Sequence, residues 1–129
     1  TNNRLPEDVR LVFDVRHVPE DQPADIIAAM QQCFAGKVQL IRRGSPLDTN
    51  PNDGYVQQFA AALREVTGQA PQLYREHFAS DARFYSDKRI PAVCFGPVGA
   101  GLHSDEEWVD ITSLVVLYHV LHRFVQIVA

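Results

Sequence analysis

Short strand-like patterns alternate with longer helix-like patterns along the chain, and this alternation limits the fold more than any other feature of the sequence. Apolar residues at every second position over residues 9–15 predict a strand with one buried face. The segments 37–42 and 72–76 predict two further strands. The compact apolar run 90–95 is typical of a buried strand, because a Gly-Pro pair ends it. Strands separated by helices favour an α/β protein.

Helical segments are predicted between and after these strands. Pro23 suits the first turn of a helix whose apolar residues recur at helical spacing to Phe34, and Gly36 can close its carboxy end. A second helix should follow a cap at Asn52 or Asp53. Ser80 or Asp81 is the predicted cap of a short helical turn. Asp110 is the predicted cap of a long final helix.

Residues 44–53 have no periodicity and are dense in glycine, proline, asparagine and aspartate. Such a stretch is typical of an irregular connection. We therefore expect a crossing between two lobes there, with one lobe at residues 1–43 and the other at 54–129.

Composition narrows the classes of function. The chain has 129 residues, of which 46% are hydrophobic, so it can build one ordinary core or two small lobes. The net charge of −4 is spread without long runs, which excludes the basic stripe of a nucleic-acid binder. No apolar run approaches the roughly 20 residues of a membrane span, and no signal-peptide pattern is present. These features predict a cytoplasmic protein without a membrane or nucleic-acid partner, in which Cys33 and Cys94 are reduced packing thiols.

Histidine spacing offers few metal sites. His119 and His122 stand three apart in the predicted final helix and could form a ligand pair, but no helical carboxylate completes it, so ordinary surface histidines are favoured. His17 and His77 are expected in loops. His103 follows a glycine-rich segment after a predicted buried strand, where α/β proteins often place their sites. Spacing alone leaves both a metal ligand and a loop histidine open for His103.

Several ordered motifs resemble those of one enzyme family. These are Ser80-Asp-Ala-Arg-Phe84, Ile90-Pro-Ala-Val-Cys-Phe-Gly-Pro97, Gly101-Leu-His-Ser-Asp-Glu-Glu-Trp-Val-Asp110, and Asn3-Arg-Leu-Pro6 followed by Phe13-Asp-Val-Arg16. Together they resemble the two-zinc metallopeptidase and deacylase family, which contains acetylornithine deacetylase, succinyl-diaminopimelate desuccinylase, aminoacylase and the glutamate carboxypeptidases. The motifs are spread over essentially the whole chain, so the resemblance is specific although each motif alone is weak.

The resemblance implies an α/β fold in which a ferredoxin-like lid interrupts the catalytic domain. Residues 1–43 would be the closing half of that lid and dimerisation domain, as strand, helix and strand. Residues 54–129 would be the carboxy-terminal segment of the α/β zinc-exopeptidase domain. The family resemblance also implies two divalent metal ions, usually zinc with cobalt or manganese as alternatives, which share a water that attacks an amide carbonyl while a glutamate accepts its proton.

The same resemblance assigns roles to individual residues. His103 matches the histidine that binds the second metal. Arg83 matches the arginine that holds the substrate carboxylate, although a surface arginine at a helix start is the alternative. Asn3 and Arg16 match lid residues that reach toward the substrate. For Arg16 the alternative is an ion pair with Asp14.

Two departures from the family pattern limit the expectation. His77-Phe78-Ala79 stand where the family often has small residues, which affects substrate specificity. The family's His-x-Asp pair, bridging aspartate, paired glutamates and remaining metal carboxylate lie upstream of its lid, and nothing in this sequence matches them. No catalytic residue is therefore assigned, and the chain should not assemble the metal centre by itself.

Two hypotheses remain. In the first, the chain is a portion of a self-associating amidohydrolase that acts on an N-acyl amino acid or a peptide, needs the upstream half of the enzyme, and is inactive alone. A start within a lid motif, without methionine, favours this hypothesis. In the second, it is a stand-alone noncatalytic dimeric module that retains the family fold.

Overall fold

The computed structural model describes residues 7–76 and 79–129, and within them it places four helices and one two-stranded antiparallel sheet. In chain order these are α1 (Pro23–Cys33), α2 (Gly54–Thr67), α3 (Arg83–Ser86), β1 (Gly99–Ala100), β2 (Trp108–Val109) and α4 (Ile111–Val128). This arrangement is consistent with part of an α/β fold. The strand pairing of a ferredoxin-like lid is not formed among the described residues.

The main packing interface lies between α2 and α4. Phe59 of α2 contacts Phe124 of α4 and Phe95 edge-on, with ring centroids 5.2 and 5.3 Å apart, a favourable geometry for aromatic rings. An ion pair of 2.6 Å joins Arg123 to Glu65 across the same interface. The hydrogen bond from Arg123 holds the pKa of Glu65 below its usual value. The buried apolar side chains of the described residues, Val56, Ala62 and Val120, all belong to these two helices.

The helix predictions are confirmed, including most of their caps. Asp53 accepts a hydrogen bond of 2.9 Å from the Tyr55 amide at the start of α2, and Gly68 ends that helix with a left-handed φ of 72°. Asp110 caps α4 in the same way through the Ser113 amide at 2.9 Å. The predicted carboxy cap of α1 at Gly36 is wrong, because α1 ends on extended backbone at Phe34. The predicted cap of α3 at Ser80 or Asp81 is also wrong, because Ala82 precedes that helix and no side chain caps it.

The strand predictions at 9–15, 37–42, 72–76 and 90–95 are wrong for this structure, since none of these segments forms a ladder. The expected buried faces are also missing: Val9 is 75% exposed and Ile90 is 51% exposed. Alternation in a sequence reports which side chains favour burial, whereas a strand also requires a neighbouring chain for its backbone hydrogen bonds. No described segment forms a ladder of backbone hydrogen bonds with any of these four segments.

The predicted crossing at 44–53 is bound to the segment that follows α3. The Thr49 hydroxyl donates to the Ala92 carbonyl at 2.7 Å and accepts from the Ala92 amide at 3.2 Å. The Asp48 amide donates to the Ser86 hydroxyl at 3.4 Å. These contacts fix the crossing against residues 86–92. The division into lobes at 1–43 and 54–129 stays a prediction.

Helix α4 corrects the expectation that no apolar run reaches the length of a membrane span. Among the described residues it is the one helix long and apolar enough, with 18 residues and a mean hydropathy of 1.5. A core helix of a soluble protein passes the same test of length and composition but is mostly buried, whereas only 6% of α4 is buried. Contacts between α4 and α2 through Phe124 and Arg123 are those of a packing helix.

One face of α4 carries exposed apolar side chains, which predicts self-association. These exposed side chains are Ile111, Leu114, Val115, Tyr118, Leu121, Val125 and Val128. Light scattering of the 129-residue chain should show a dimer or a larger species. Val125→Lys should shift the distribution toward monomer because it places a charge on this face, whereas Thr112→Lys on the same helix, outside that set, should change it less. A monomer at high concentration would contradict the prediction.

The cap of α4 gives a prediction about stability. Asp110→Ala should lower the free energy of unfolding by about 1 kcal/mol, because the amide of Ser113 loses its side-chain acceptor. Asp110→Asn should retain most of the stability, since asparagine caps helices nearly as well. Urea unfolding followed by circular dichroism measures both variants. Equal losses in the two variants would argue against the capping explanation.

Candidate functional site

A short hairpin presents the best metal-ligand candidate of the sequence. Strands β1 and β2 pair antiparallel, with Gly99 opposite Val109. The chain then turns through Gly101, whose φ is 75°. A side chain on Gly101 would bring its Cβ to 2.8 Å from the Glu106 carbonyl oxygen, and one on Gly99 would reach 2.5 Å from the Trp108 carbonyl oxygen. The hairpin therefore requires glycine at both positions, and it fixes the backbone around the intervening turn.

His103 lies in this turn with an exposed side chain and a left-handed backbone, at φ 65°. A residue other than glycine in that conformation costs roughly 1–2 kcal/mol. The His103 amide is held by a long hydrogen bond of 3.4 Å to a Glu107 carboxylate oxygen. The Ser104 hydroxyl donates to the Gly101 carbonyl at 2.7 Å and tightens the same turn. Backbone contacts thus hold the residue while its imidazole stays accessible.

The described residues do not fit a complete metal centre. Within 7–76 and 79–129, no three histidine, cysteine, aspartate or glutamate side chains come together as a ligand set. A structural zinc site has four ligands, and a catalytic one has at least three from protein. The described residues therefore support no chemical step at a metal by themselves. His103 remains a single accessible imidazole.

The histidine pair of α4 contacts an aromatic ring. The Tyr118 ring lies 5.4 Å from the His119 ring and 5.9 Å from the His122 ring, centroid to centroid. Because no described carboxylate or cysteine joins the two imidazoles in a ligand set, the structure favours ordinary surface histidines.

Arg83 is the first residue of α3 and is half-buried. The preceding turn is fixed by Ser80, whose hydroxyl accepts from the Ala82 amide at 3.1 Å and whose carbonyl accepts from the Arg83 amide at 3.3 Å. The guanidinium carbon lies 4.8 Å from the centroid of the Phe84 ring, within cation–π range. Arg83 Nε is buried without a hydrogen-bond partner.

A buried nitrogen without a hydrogen-bond partner distinguishes Arg83 from the other described arginines. Among the described residues, no carboxylate lies within ion-pair distance of its guanidinium, whereas Arg16, Arg75 and Arg123 are all paired. A buried donor without an acceptor costs about 1–3 kcal/mol, so it usually marks a strained or functional position.

The predicted lid residues are less well placed. Arg16 forms an ion pair with Asp14, with distances of 2.8 Å from Nη2 and 3.0 Å from Nε to the same carboxylate oxygen. This is the alternative that the sequence left open. Asn3 lies outside the described residues, as does the motif Asn3–Pro6, and so does His77.

His103, Arg83 and Arg16 are not joined to one another by any hydrogen bond or ion pair in the described part of the chain.

Sequence reasoning missed two neighbours that shape the site, Glu107 and Gly44. Glu107 had a weak signal, since an acid four residues after the histidine can reach back across a turn. Gly44 had none, because its contact with Arg83 joins residues far apart in the sequence.

The cysteines differ from the sequence prediction. Cys33 and Cys94 are both free, as expected, but both are exposed instead of packed. Cys94 lies in the segment 90–95, whose predicted burial is absent. Neither thiol contributes to a ligand set among the described residues.

Comparisons with known proteins place this geometry in context. A sequence model described as peptidase family M20/M25/M40 matches residues 6–127. Succinyl-diaminopimelate desuccinylase of Magnetococcus marinus is 30% identical over 129 residues, covering 96% of this chain and 34% of the relative. Succinyl-diaminopimelate desuccinylase 2 of Shewanella loihica is 28% identical, covering 93% of the chain and 34% of the relative.

A third relative agrees with these two. The succinyl-diaminopimelate desuccinylase of Helicobacter hepaticus is 25% identical, covering 97% of the chain and 33% of the relative. The chain thus spans about a third of the length of the curated relatives it matches. No solved structure matches the chain.

Proposed function

Since this chain belongs to the peptidase family M20/M25/M40, we propose that it is a portion of a metal-dependent amidohydrolase that carries substrate-binding residues and one metal ligand. The observation that carries the proposal is the family match over residues 6–127, which includes every motif around His103 and Arg83. In the complete enzyme, the remaining ligands and the general base come from a segment that this sequence does not contain.

His103 is the proposed ligand of one metal in a centre of two divalent ions, with zinc the first candidate and cobalt or manganese the alternatives. Imidazole suits zinc, which is a borderline-soft ion. The exposed ring at the tip of a fixed hairpin supports the role, because a ligand must be accessible to groups from elsewhere in the enzyme. Such a centre supplies an activated water for amide hydrolysis when it is assembled.

Arg83 is the proposed carboxylate-binding residue of the substrate. Its half-buried guanidinium has no described anionic partner, and a planar cation of this kind binds carboxylates through two parallel hydrogen bonds. Arg16 and Asn3 are proposed to contact the substrate from the lid, in which case Arg16 must exchange its ion pair with Asp14 for the ligand.

The substrate class follows from these assignments together with the relatives. We propose an N-acyl amino acid or a peptide with a free carboxylate, and the names of the relatives make N-succinyl-diaminopimelate the first compound to test.

Assembly into a homo-oligomer is proposed from the exposed apolar face of α4. A cytoplasmic location is proposed from the packing of α4 on α2.

A noncatalytic dimeric module is the second candidate. It is favoured by the lack of any metal-ligand set among the described residues and by the exposed face of α4. Joining the chain to a segment that carries the family's upstream ligands separates the two. Hydrolysis of N-succinyl-diaminopimelate should appear in the joined protein and be absent from the 129-residue chain. A joined protein that folds and dimerises but hydrolyses neither N-succinyl nor N-acetyl amino acids would favour the module.

A further inference from the structure

We infer that Gly44 is a positioning residue for Arg83, because the absence of a side chain at Gly44 leaves the space in which the Arg83 guanidinium lies. The inference rests on the proposed carboxylate-binding role of Arg83 and extends it to the crossing segment between the predicted lobes. Gly44 touches no substrate itself. Its effect on binding is exerted through the position of Arg83.

The contact is close and specific. A Cβ built on Gly44 would lie 3.3 Å from Nη1, 3.6 Å from Cζ and 4.0 Å from Nη2 of Arg83, and these guanidinium atoms are its three nearest neighbours. The first distance is shorter than ordinary van der Waals contact between such atoms. The backbone φ of Gly44 lies outside the left-handed range, so space and not backbone freedom explains the glycine.

Hydrogen bonds join the two segments on the carboxy-terminal side of this contact. Ser86 accepts the Asp48 amide at 3.4 Å and donates its hydroxyl to the Arg83 carbonyl at 2.9 Å. The reciprocal pair between Thr49 and Ala92 fixes the next part of the same interface. The backbone of the crossing is therefore tied to α3 four residues after Gly44, which limits how far a larger residue at position 44 can move away from Arg83.

Arg83 has few other groups to hold it. Its Nε has no hydrogen-bond partner, and its guanidinium has no described ion pair, so the Phe84 ring and the space above Gly44 define its position. A bidentate contact with a carboxylate requires a fixed orientation of the guanidinium plane. Displacement by a side chain at position 44 should weaken that contact without removing the charge.

Nuclear magnetic resonance of the 129-residue chain tests the geometry directly. The Arg83 Nε–Hε signal, assigned by its loss in Arg83→Lys, should exchange slowly with water because the nitrogen is buried. Gly44→Val should shift this signal toward that of an exposed arginine and accelerate its exchange. Gly36→Val is the matched control, since a Cβ there meets no atom within 4 Å, and it should leave the signal unchanged.

Kinetics of the joined enzyme test the consequence. Gly44→Val should raise KM for an N-acyl amino acid about tenfold, the loss expected for one charge-assisted hydrogen bond, with a smaller change in kcat. KM for the analogue with a carboxamide in place of the carboxylate should not change. A general structural defect would instead raise KM for both compounds. Gly36→Val should match the unmodified enzyme on both compounds.

The possible results separate the inference from the function on which it rests. An Arg83 signal unaffected by Gly44→Val overturns the inference. A KM unaffected by Gly44→Val, in an enzyme whose KM is raised by Arg83→Ala, also overturns it and leaves the role of Arg83 intact. If Arg83→Ala itself leaves KM unchanged, the carboxylate-binding role fails, and the inference fails with it.

Discussion

Replacement of His103 by alanine in the complete enzyme should abolish nearly all turnover and remove one of the two metals. The physical reason is that an inner ligand is lost, and changes even to the outer partners of metal ligands typically cost 10–100-fold in affinity or activity. We therefore expect a fall of more than about 100-fold in kcat/KM. Mass spectrometry under native conditions and hydrolysis of N-succinyl-diaminopimelate measure the two effects on the same sample.

Two further variants separate ligand loss from backbone strain. His103 has a left-handed backbone, so alanine there retains the backbone strain while it removes the imidazole. His103→Gly removes the imidazole and relieves the strain, and it should be as inactive as the alanine variant. His119→Ala removes an exposed imidazole from α4 and should retain activity and both metals. Normal metal content in His103→Gly would remove the ligand assignment.

Replacement of Arg83 by alanine in the complete enzyme should lower kcat/KM by on the order of thirty- to a thousand-fold, equivalent to about 2–4 kcal/mol of transition-state stabilisation. The variant loses a planar, charged group that can donate two parallel hydrogen bonds to the carboxylate. Arg83→Lys should recover only part of the loss, because an ammonium carries the charge but cannot form the bidentate contact. Steady-state kinetics on an N-acyl amino acid measure both.

An arginine on another helix provides the control for this prediction. Arg64 is exposed in the last turn of α2, so Arg64→Ala removes the same charge from a different element of the protein. It should change kcat/KM by less than a factor of about two, in line with the small effects of surface substitutions. If Arg83→Ala were equally mild, the carboxylate would have to bind elsewhere, with Arg16, Arg42 and Arg43 the next candidates.

Helices were predictable from this sequence because their signals are local. The cap at Asp53, the apolar stripe that follows it and the glycine at position 68 all lie within one short segment, and the structure confirms each of them. The final helix is specified in the same way by its cap at Asp110. Such signals need no information about which other parts of the chain are nearby.

Strands were not predictable to the same degree, because a strand depends on a partner. Residues 9–15 have the correct alternation, yet Phe13 packs against Phe34 at 5.5 Å between ring centroids while its backbone finds no ladder among the described residues. The small sheet that does form, at Gly99 and Trp108, had no strand pattern in the sequence. It arises because the glycines permit a tight hairpin.

The candidate site was predictable in identity and not in geometry. The family motifs identify His103 and Arg83, but the position of Arg83 depends on its contact with Gly44 and on the hydrogen bonds of Thr49. Those contacts join residues roughly forty positions apart, which no local pattern reports. The pairing of Arg16 with Asp14 is a local contact, and the sequence did contain it as an alternative.

Metal content tests the central claim most directly, because the claim is that this chain supplies one ligand of a centre that it cannot assemble alone. Native mass spectrometry after dialysis should find no stoichiometric zinc in the 129-residue chain and two metal ions in the protein joined to the upstream ligands. Metal binding and assembly of the site are coupled, so the ions should appear together with hydrolysis. Stoichiometric zinc and robust hydrolysis in the 129-residue chain alone would contradict the account.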